Sequence, residues 1–182
     1  METLHTRRLT LLPLTLADLQ TGLISLNQLS GSVGIPVAAS LFDGVVERAV
    51  RMKIEKMDRA APELHPWFTY WMIIINDENI GAGMVGFKGN PDSAGKAEIG
   101  YGIDPIFQSR GYMTEAVRAM IAWAFSHQEC CAVTATSVLA GNLASQKVLL
   151  RNGFSETGHN EDGVHFELTR QNWQKQPIDN LV

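Results

Sequence analysis

Only two cysteines occur in this chain, Cys130 and Cys131, and they are neighbours. Adjacent cysteines rarely reach disulfide geometry, so no covalent framework is expected and a reducing cytoplasm fits. Long hydrophobic runs are also missing. An apolar stretch such as Trp71 to Ile75 is far shorter than the roughly 20 residues needed to cross a bilayer. The opening METLHTRRLTLLPLT is broken by Pro13 and lacks the continuous hydrophobic segment of a signal peptide. No membrane role is expected. Basic residues are a minority, 15 against 19 acidic, for a net charge of −4. A nucleic-acid binder would normally carry a basic stripe to neutralise phosphates, so that class is disfavoured and a small amine-bearing partner fits better.

Hydrophobic residues make up 45% of the 182 positions, enough for a packed core, and one domain is expected over residues 1–182. Its core should run from about residue 6 to 170, with a polar, partly disordered tail over 171–182. Arg7 to Leu14 reads as a strand, and Thr15 with Asp18 as a capping box for a helix ending near Asn27. Leu29 to Pro36 has the small residues of a loop, and a second helix follows from about Ser40 to Asp58. Pro62 and Pro66 break the helical pattern. Trp67 to Asn76, Ile80 to Lys88 and Lys96 to Ile103 then read as an antiparallel meander, with turns at Asn76–Asn79 and Gly89–Gly95. The period changes to helical over Thr114 to His127. A strand from Cys131 to Val138, a helix from Ala144 to Arg151 capped by Asn142 and stopped by Gly153, and a hairpin of Phe154–Gly158 and Val164–Thr169 complete the order β-α-α-β-β-β-α-β-α-β-β. The fold class is α+β, a mixed, mostly antiparallel sheet of about six or seven strands flanked by about four helices.

QSRGYMTEA, Gln108 to Ala116, joins the third meander strand to the long helix. A strand running through a glycine turn into a helix presents unpaired backbone N–H groups and the positive end of a helix dipole, which together favour an anion. A side chain at position 111 would obstruct a phosphate there, and Gln108 and Arg110 can add donors. A glycine serving only a tight turn is the simpler alternative. A second segment, NLASQKVLLRNGF from Asn142 to Phe154, sets a polar residue at a strand exit, Ser145 one turn on, and Gly-Phe at the helix end.

These two segments together resemble the GNAT superfamily of acyl-CoA-dependent N-acetyltransferases, carried by Gln108, Gly111 and Met113 and then Asn142, Ser145, Gly153 and Phe154. The opening TRRLTLLPLTLADL, the strand AEIGYGI and the following TEA resemble more narrowly the branch that includes the ribosomal-protein N-terminal (RimJ/RimL-type) acetyltransferases and many unassigned relatives. The resemblance spans roughly Thr6 to Thr169. It implies a GNAT fold, acetyl-CoA as co-substrate, an amine acceptor that is either a protein N-terminus or a small molecule, and no metal. By position, the backbone of Gln108, Ser109, Arg110, Gly111, Tyr112, Met113 and Thr114 should hold the pyrophosphate. The pantetheine arm should pair with backbone near Ile103, Asn142 should bond the same arm, and Ser145 should lie near the sulfur. Asn142 can also act as a helix cap, and Ser145 can equally be a hydroxyl bonded to its own turn. Two positions depart from the pattern. Met113 stands where Gly or Ala is usual, so the cradle is open only if its side chain points into the core, and Leu149 stands where many members have a tyrosine that protonates the departing thiolate.

The implied reaction is attack of a neutral amine on the thioester, with a backbone N–H polarising the carbonyl. At pH 7 a lysine amine is neutral in only about one molecule in 2,500, an α-amine in roughly 10 to 17%, so an α-amine needs far less help from a base. Glu98 is the candidate base, acting through water, with a plain cross-strand ion pair as its alternative. Acceptor contacts are expected from Trp67, Tyr101 and His159, with Glu161 and Asp162 near them. Cofactor-binding without catalysis, and an adaptor that binds no CoA, are the competing readings. GNPDSAGK fails as a phosphate loop because five residues separate its glycines and Ala97 stands where Ser or Thr would bind magnesium. His127, Cys130 and Cys131 lack a second ligand cluster. A monomer and a homodimer are both compatible with the sequence.

Overall fold

The computed structural model describes residues 2–176. All its strands belong to one sheet, ordered β1-β2-β3-β4-β5-β6-β8-β7, where β1 is Leu4–His5, β2 Leu9–Pro13, β3 Trp71–Ile75, β4 Ile80–Phe87, β5 Lys96–Ile103, β6 Ala132–Val138, β7 Ser155–Asn160 and β8 Gly163–Thr169. The expected meander is present, with β2 to β5 antiparallel in succession. The eighth strand beyond the expected range is β1, two residues paired to β2.

The sheet is covered on both faces. On one, helix α5, Tyr112–Ser126, buries Met113, Val117, Met120 and Ile121 against Leu11, Ile73, Val85, Phe87 and Ile99. On the other, helices α1, Leu16–Ile24, α2, Leu26–Val33, and α3, Gly44–Arg59, pack Leu19, Leu29, Val50 and Met57 onto Leu14, Met72 and Met84. Between them runs the period-2 alternation of β5, whose Ala97 and Ile99 face α5 while Glu98 points to the opposite side.

Four local expectations are corrected. The first helix ends at Ile24, because Ser25 turns extended, closes α1 and caps α2 by accepting from Gln28 N at 3.4 Å. The supposed loop from Leu29 is thus largely α2, whose Leu29 is fully buried and which stops at Gly34. Trp67 is not in a strand. Pro66 sits in the first turn of a short helix α4, His65–Phe68, where a missing N–H is tolerated, and Pro62 opens a 3-10 turn in the same way. Gln171 to Gln174 belong to helix α7, Arg170–Gln174, capped by Thr169 and anchored by Trp173 against Phe125. With α6, Leu143–Arg151, that makes seven α-helices among the described residues instead of four. The rest of the expected tail, 177–182, lies outside the described residues.

The capping box is formed as expected. Thr15 Oγ1 accepts from Asp18 N at 3.1 Å, and Asp18 accepts from Thr15 N at 2.9 Å. Burial alone would raise the Asp18 pKa, but hydrogen bonds from Thr15 and Ser32 outweigh it and the net shift is downward. Thr15→Ala is expected to cost about 1 kcal/mol of stability, read as a lower midpoint in urea denaturation at an unchanged slope.

Candidate active site

Strands β5 and β6 are parallel neighbours for only three residues, Lys96 to Glu98 against Ala132 to Thr134. Beyond them the strands part. β5 continues to Ile103 on the β4 side alone, while β6 bulges at Thr136 and Ser137, Ser137 taking φ +56. The result is a wedge whose β5 wall, among the described residues, pairs with no strand but β4 beyond Glu98, a form suited to an extended chain that adds as a further strand. Helix α5 starts at the open end of β5 and α6 starts just past β6, so both helix N-termini border the wedge.

At the first of these, Gly111 is the N-cap of α5 with φ +81, a conformation glycine adopts freely, and no side chain caps the helix. Ser109 also has positive φ, +62. Met113 is 8% exposed and packs into the core beneath α5, so its side chain is turned away from the loop. A brace not anticipated from the sequence fixes this loop. Arg8 Nε lies 2.7 Å from Glu115 Oε2, its Nη1 donates to Arg110 O at 3.0 Å, and its guanidinium covers the Tyr112 ring at 4.7 Å. Burial would raise the Glu115 pKa, yet hydrogen bonds from Thr6 and Arg8 and the Arg8 charge bring it below the usual value. Gln108 folds back onto Ile103 O at 3.3 Å, and Arg110 pairs with Glu78 at 3.1 Å. Positions 8 and 115 are too distant in the chain for any local pattern to link them.

At the second N-terminus Asn142 does cap α6, accepting from Ser145 N at 3.1 Å. Ser145 Oγ stands 2.9 Å from the Tyr101 hydroxyl, which itself donates to Ser145 O at 3.2 Å. Burial pushes the Tyr101 pKa up to about 12, with the Ser145 bond pulling the other way. Leu149 is fully buried one turn later. At the C-terminus of α6, Gly153 turns with φ +85 just before Phe154 enters the core.

Glu98 lies where the wedge begins. Its Oε1 accepts from Lys88 Nζ at 2.5 Å and from Thr136 Oγ1 at 2.5 Å, so the cross-strand ion pair considered from the sequence is present, together with a link to β6. A cavity of about 360 Å³ lies against β4 and the far end of β5, lined by Ser40, Asp43, Tyr70, Met84, Tyr101 and Asp104, among others, and Glu98 is not part of its lining. Its charged side chains are both carboxylates. Asp104 accepts from Ser40 Oγ at 2.7 Å and from Ile106 N, and these bonds hold its pKa below the usual value. A larger, more open groove of about 490 Å³ on α3, lined by Met52, Lys56, Arg59 and Leu64, contains none of the residues above.

The expected acceptor residues divide. Tyr101 lines the cavity. Trp67 does not: it is 3% exposed and packed among Phe87, Trp123 and His127, with ring centroids 4.5 to 5.1 Å apart. His159 is exposed on β7, three strands from β5, or about 14 Å at ordinary strand spacing. Glu161 and Asp162 form the β7–β8 turn beyond it. Aromatic character cannot distinguish a core tryptophan from a cleft-lining one, because both positions favour the same side chain.

The acetyltransferase (GNAT) domain profile matches residues 8–155, and the chain belongs to that family. It is 37% identical over 87 residues to the "Uncharacterized N-acetyltransferase YjdG" of Bacillus subtilis (strain 168), an overlap of 48% of this chain. The chain spans about half the length of that curated relative, 51%. Among solved structures, the ribosomal-protein-S5-alanine acetyltransferase of Vibrio fischeri superposes with a TM-score of 0.65 at 18% identity, covering 97% of this chain and all of that one. The ribosomal-protein acetyltransferase RimL in complex with coenzyme A superposes at 0.64 and 16% identity, covering 92% and 98%. At those identities the likeness is one of fold, and the GNAT α+β fold is that expected from the sequence. No helix among the described residues is long and apolar enough to cross a membrane.

Proposed function

We propose that the protein transfers an acetyl group from acetyl-CoA to a primary amine, with the wedge between β5 and β6 as the donor site and the 360 Å³ cavity as the acceptor site. The observation that carries this reading is the uncapped helix N-terminus at Gly111 beside a strand edge left unpaired over the same stretch of β5. The Gln108 N–H, expected from the sequence to join the cradle, already donates to Pro105 O at 3.2 Å, so the backbone N–H groups suited to a pyrophosphate run from Ser109 to Thr114, and the inward turn of Met113 leaves them accessible. Asn142 uses its carboxamide oxygen on its own helix, which leaves its amide N–H groups for the pantetheine arm. Ser145 then stands by the sulfur.

The acceptor enters from the α1–α3 side. Glu98 takes the amine proton through a water molecule, and Lys88 and Thr136 fix its orientation without sequestering both oxygens, since among the described residues their bonds all fall on Oε1. A cavity whose charged side chains, among the described residues, are Asp43 and Asp104 favours a cationic acceptor and disfavours one bearing a carboxylate close to its amine. The α-amine of a protein N-terminus meets both conditions, and one structural relative is named as an alpha-N-protein acetyltransferase. A soluble cytoplasmic setting accords with this acceptor.

Thiol release from acetyl-CoA across a panel of free-N-terminus peptides and small primary amines tests the reading. Saturable turnover is expected, and Glu98→Gln should lower kcat about 10- to 100-fold at pH 7. The loss should shrink as pH rises toward 9 and the free amine fraction grows. Tight CoA binding with no turnover on any amine would instead favour a non-catalytic acyl-CoA-binding module.

A further inference from the structure

Two hydroxyls meet at the junction of the wedge and the cavity, and they come from different parts of the chain. Tyr101 belongs to the stretch of β5 beyond its last pair with β6, and Ser145 to the first turn of α6. Their oxygens are 2.9 Å apart, and Tyr101 is held twice, by Ser145 Oγ and by Ser145 O. Tyr101 also lines the acceptor cavity, so this pair stands between that cavity and the N-terminus of α6.

We propose that Tyr101 is a positioning residue that lets Ser145 hold the negative charge of the departing thiolate by hydrogen bonding, with no proton passed from either hydroxyl to the sulfur. The inference rests on the acetyl-transfer reading above. In the described arrangement the Ser145 hydroxyl donates to Tyr101 and the Tyr101 hydroxyl donates to the Ser145 carbonyl. At 2.9 Å the first bond can reverse by rotation of the two O–H groups. Tyr101 then donates to Ser145 Oγ, and the Ser145 proton is released to point at the sulfur. As the C–N bond forms and the C–S bond breaks, the electron pair departs on sulfur and meets that hydroxyl. The amine proton leaves through the water at Glu98, and the thiolate takes its proton from solvent after release.

Acid strength weighs against the alternative of a proton relay. A thiol has an ordinary pKa of about 8.5, whereas burial pushes Tyr101 up to about 12, so giving its proton to a thiolate is unfavourable by roughly three orders of magnitude. A serine hydroxyl is a weaker acid still. Neither group is a useful acid here, but both are good neutral donors in a partly buried place, where a hydrogen bond to developing charge is strongest.

The experiment compares Tyr101→Phe, Ser145→Ala and the double variant, with thiol release measured on the amine that the wild-type protein turns over best. Each single variant is expected to lower kcat about 10-fold with KM for acetyl-CoA changed less than twofold. The double variant should be no more than twofold worse than either single, because the two hydroxyls act as one unit. Wild type and Tyr101→Phe should show the same solvent deuterium isotope effect on kcat. An effect present in wild type and lost in Tyr101→Phe would show proton transfer and overturn the proposal. Near-normal kcat in both single variants would overturn it while leaving the acetyl-transfer reading intact, provided Glu98→Gln still loses turnover. Absence of turnover by wild type on every amine would remove both. Because Tyr101→Phe keeps the ring, a melting temperature close to wild type is expected, and Ser145→Ala gives an independent arm should the ring prove sensitive.

Discussion

Gly111→Glu is expected to weaken CoA binding about 100- to 10,000-fold, as measured by calorimetry, while leaving most of the fold in place. Two effects add. Gly111 has φ +81, where a residue with a Cβ is strained by roughly 1–2 kcal/mol. The larger effect is electrostatic: a carboxylate would occupy the mouth of a loop whose free N–H groups and helix dipole suit the pyrophosphate. Losing two hydrogen bonds to a charged group costs about 3–6 kcal/mol, which corresponds to roughly two to four orders of magnitude in affinity. Gly111→Asn separates the two effects, since Asn tolerates the left-handed conformation and brings no charge. It should retain binding within about 30-fold. Equal CoA affinity for Gly111→Glu and wild type would remove the proposed pyrophosphate site.

The second large effect concerns stability and comes from Lys53 of α3. The residue is 6% exposed, and its ammonium donates to the carbonyls of Phe68, Thr69 and Phe87 at 3.0, 3.1 and 2.6 Å and lies 4.3 Å over the Tyr70 ring. One side chain thereby ties α3 to the start of β3 and the end of β4, and sets the position of Tyr70 in the cavity wall. Burial, helped by the nearby charges of Lys56 and Lys88, lowers its pKa from 10.5 to about 7. Between those values the unfolded chain holds a proton that the folded one has released, so this group makes stability rise as pH rises through the window. Below about pH 7 both states are protonated and its contribution is flat. The gain should be of order 2 kcal/mol between pH 7 and 9. Urea denaturation at several pH values should show this rise in wild type and not in Lys53→Met, where no titratable group remains. Parallel pH dependences for the two proteins would contradict the role assigned to Lys53.

Much of the proposed donor site was legible because its parts are local. The glycine turn at Gln108–Thr114 and the Asn142 cap of α6 each lie within a few residues of the chain, and local hydrogen-bonding rules determine them. The meander was legible for the same reason, since β-branched runs separated by short turns pair with their neighbours. The break at Ser25 was not, because Leu23, Leu26 and Leu29 continue a helical spacing across it while the small residues after Leu29 imitate a loop. Lys53 gives no sign of burial in the run Lys53-Ile54-Glu55-Lys56, which reads as an ordinary solvated helix face.

The sequence by itself determined the family, the order of the main strands and helices, and the loop that leaves its N–H groups uncapped. Only the tertiary structure decided that Met113 turns inward, that Trp67 belongs to the core and His159 lies far from β5, that Arg8 braces Glu115, and that Tyr101 meets Ser145. The physical reason is the range of the interactions. Caps, turns and periodicity depend on neighbours a few residues apart, whereas these placements depend on sheet register and on where β5 and β6 stop pairing, and residues distant in the chain set both.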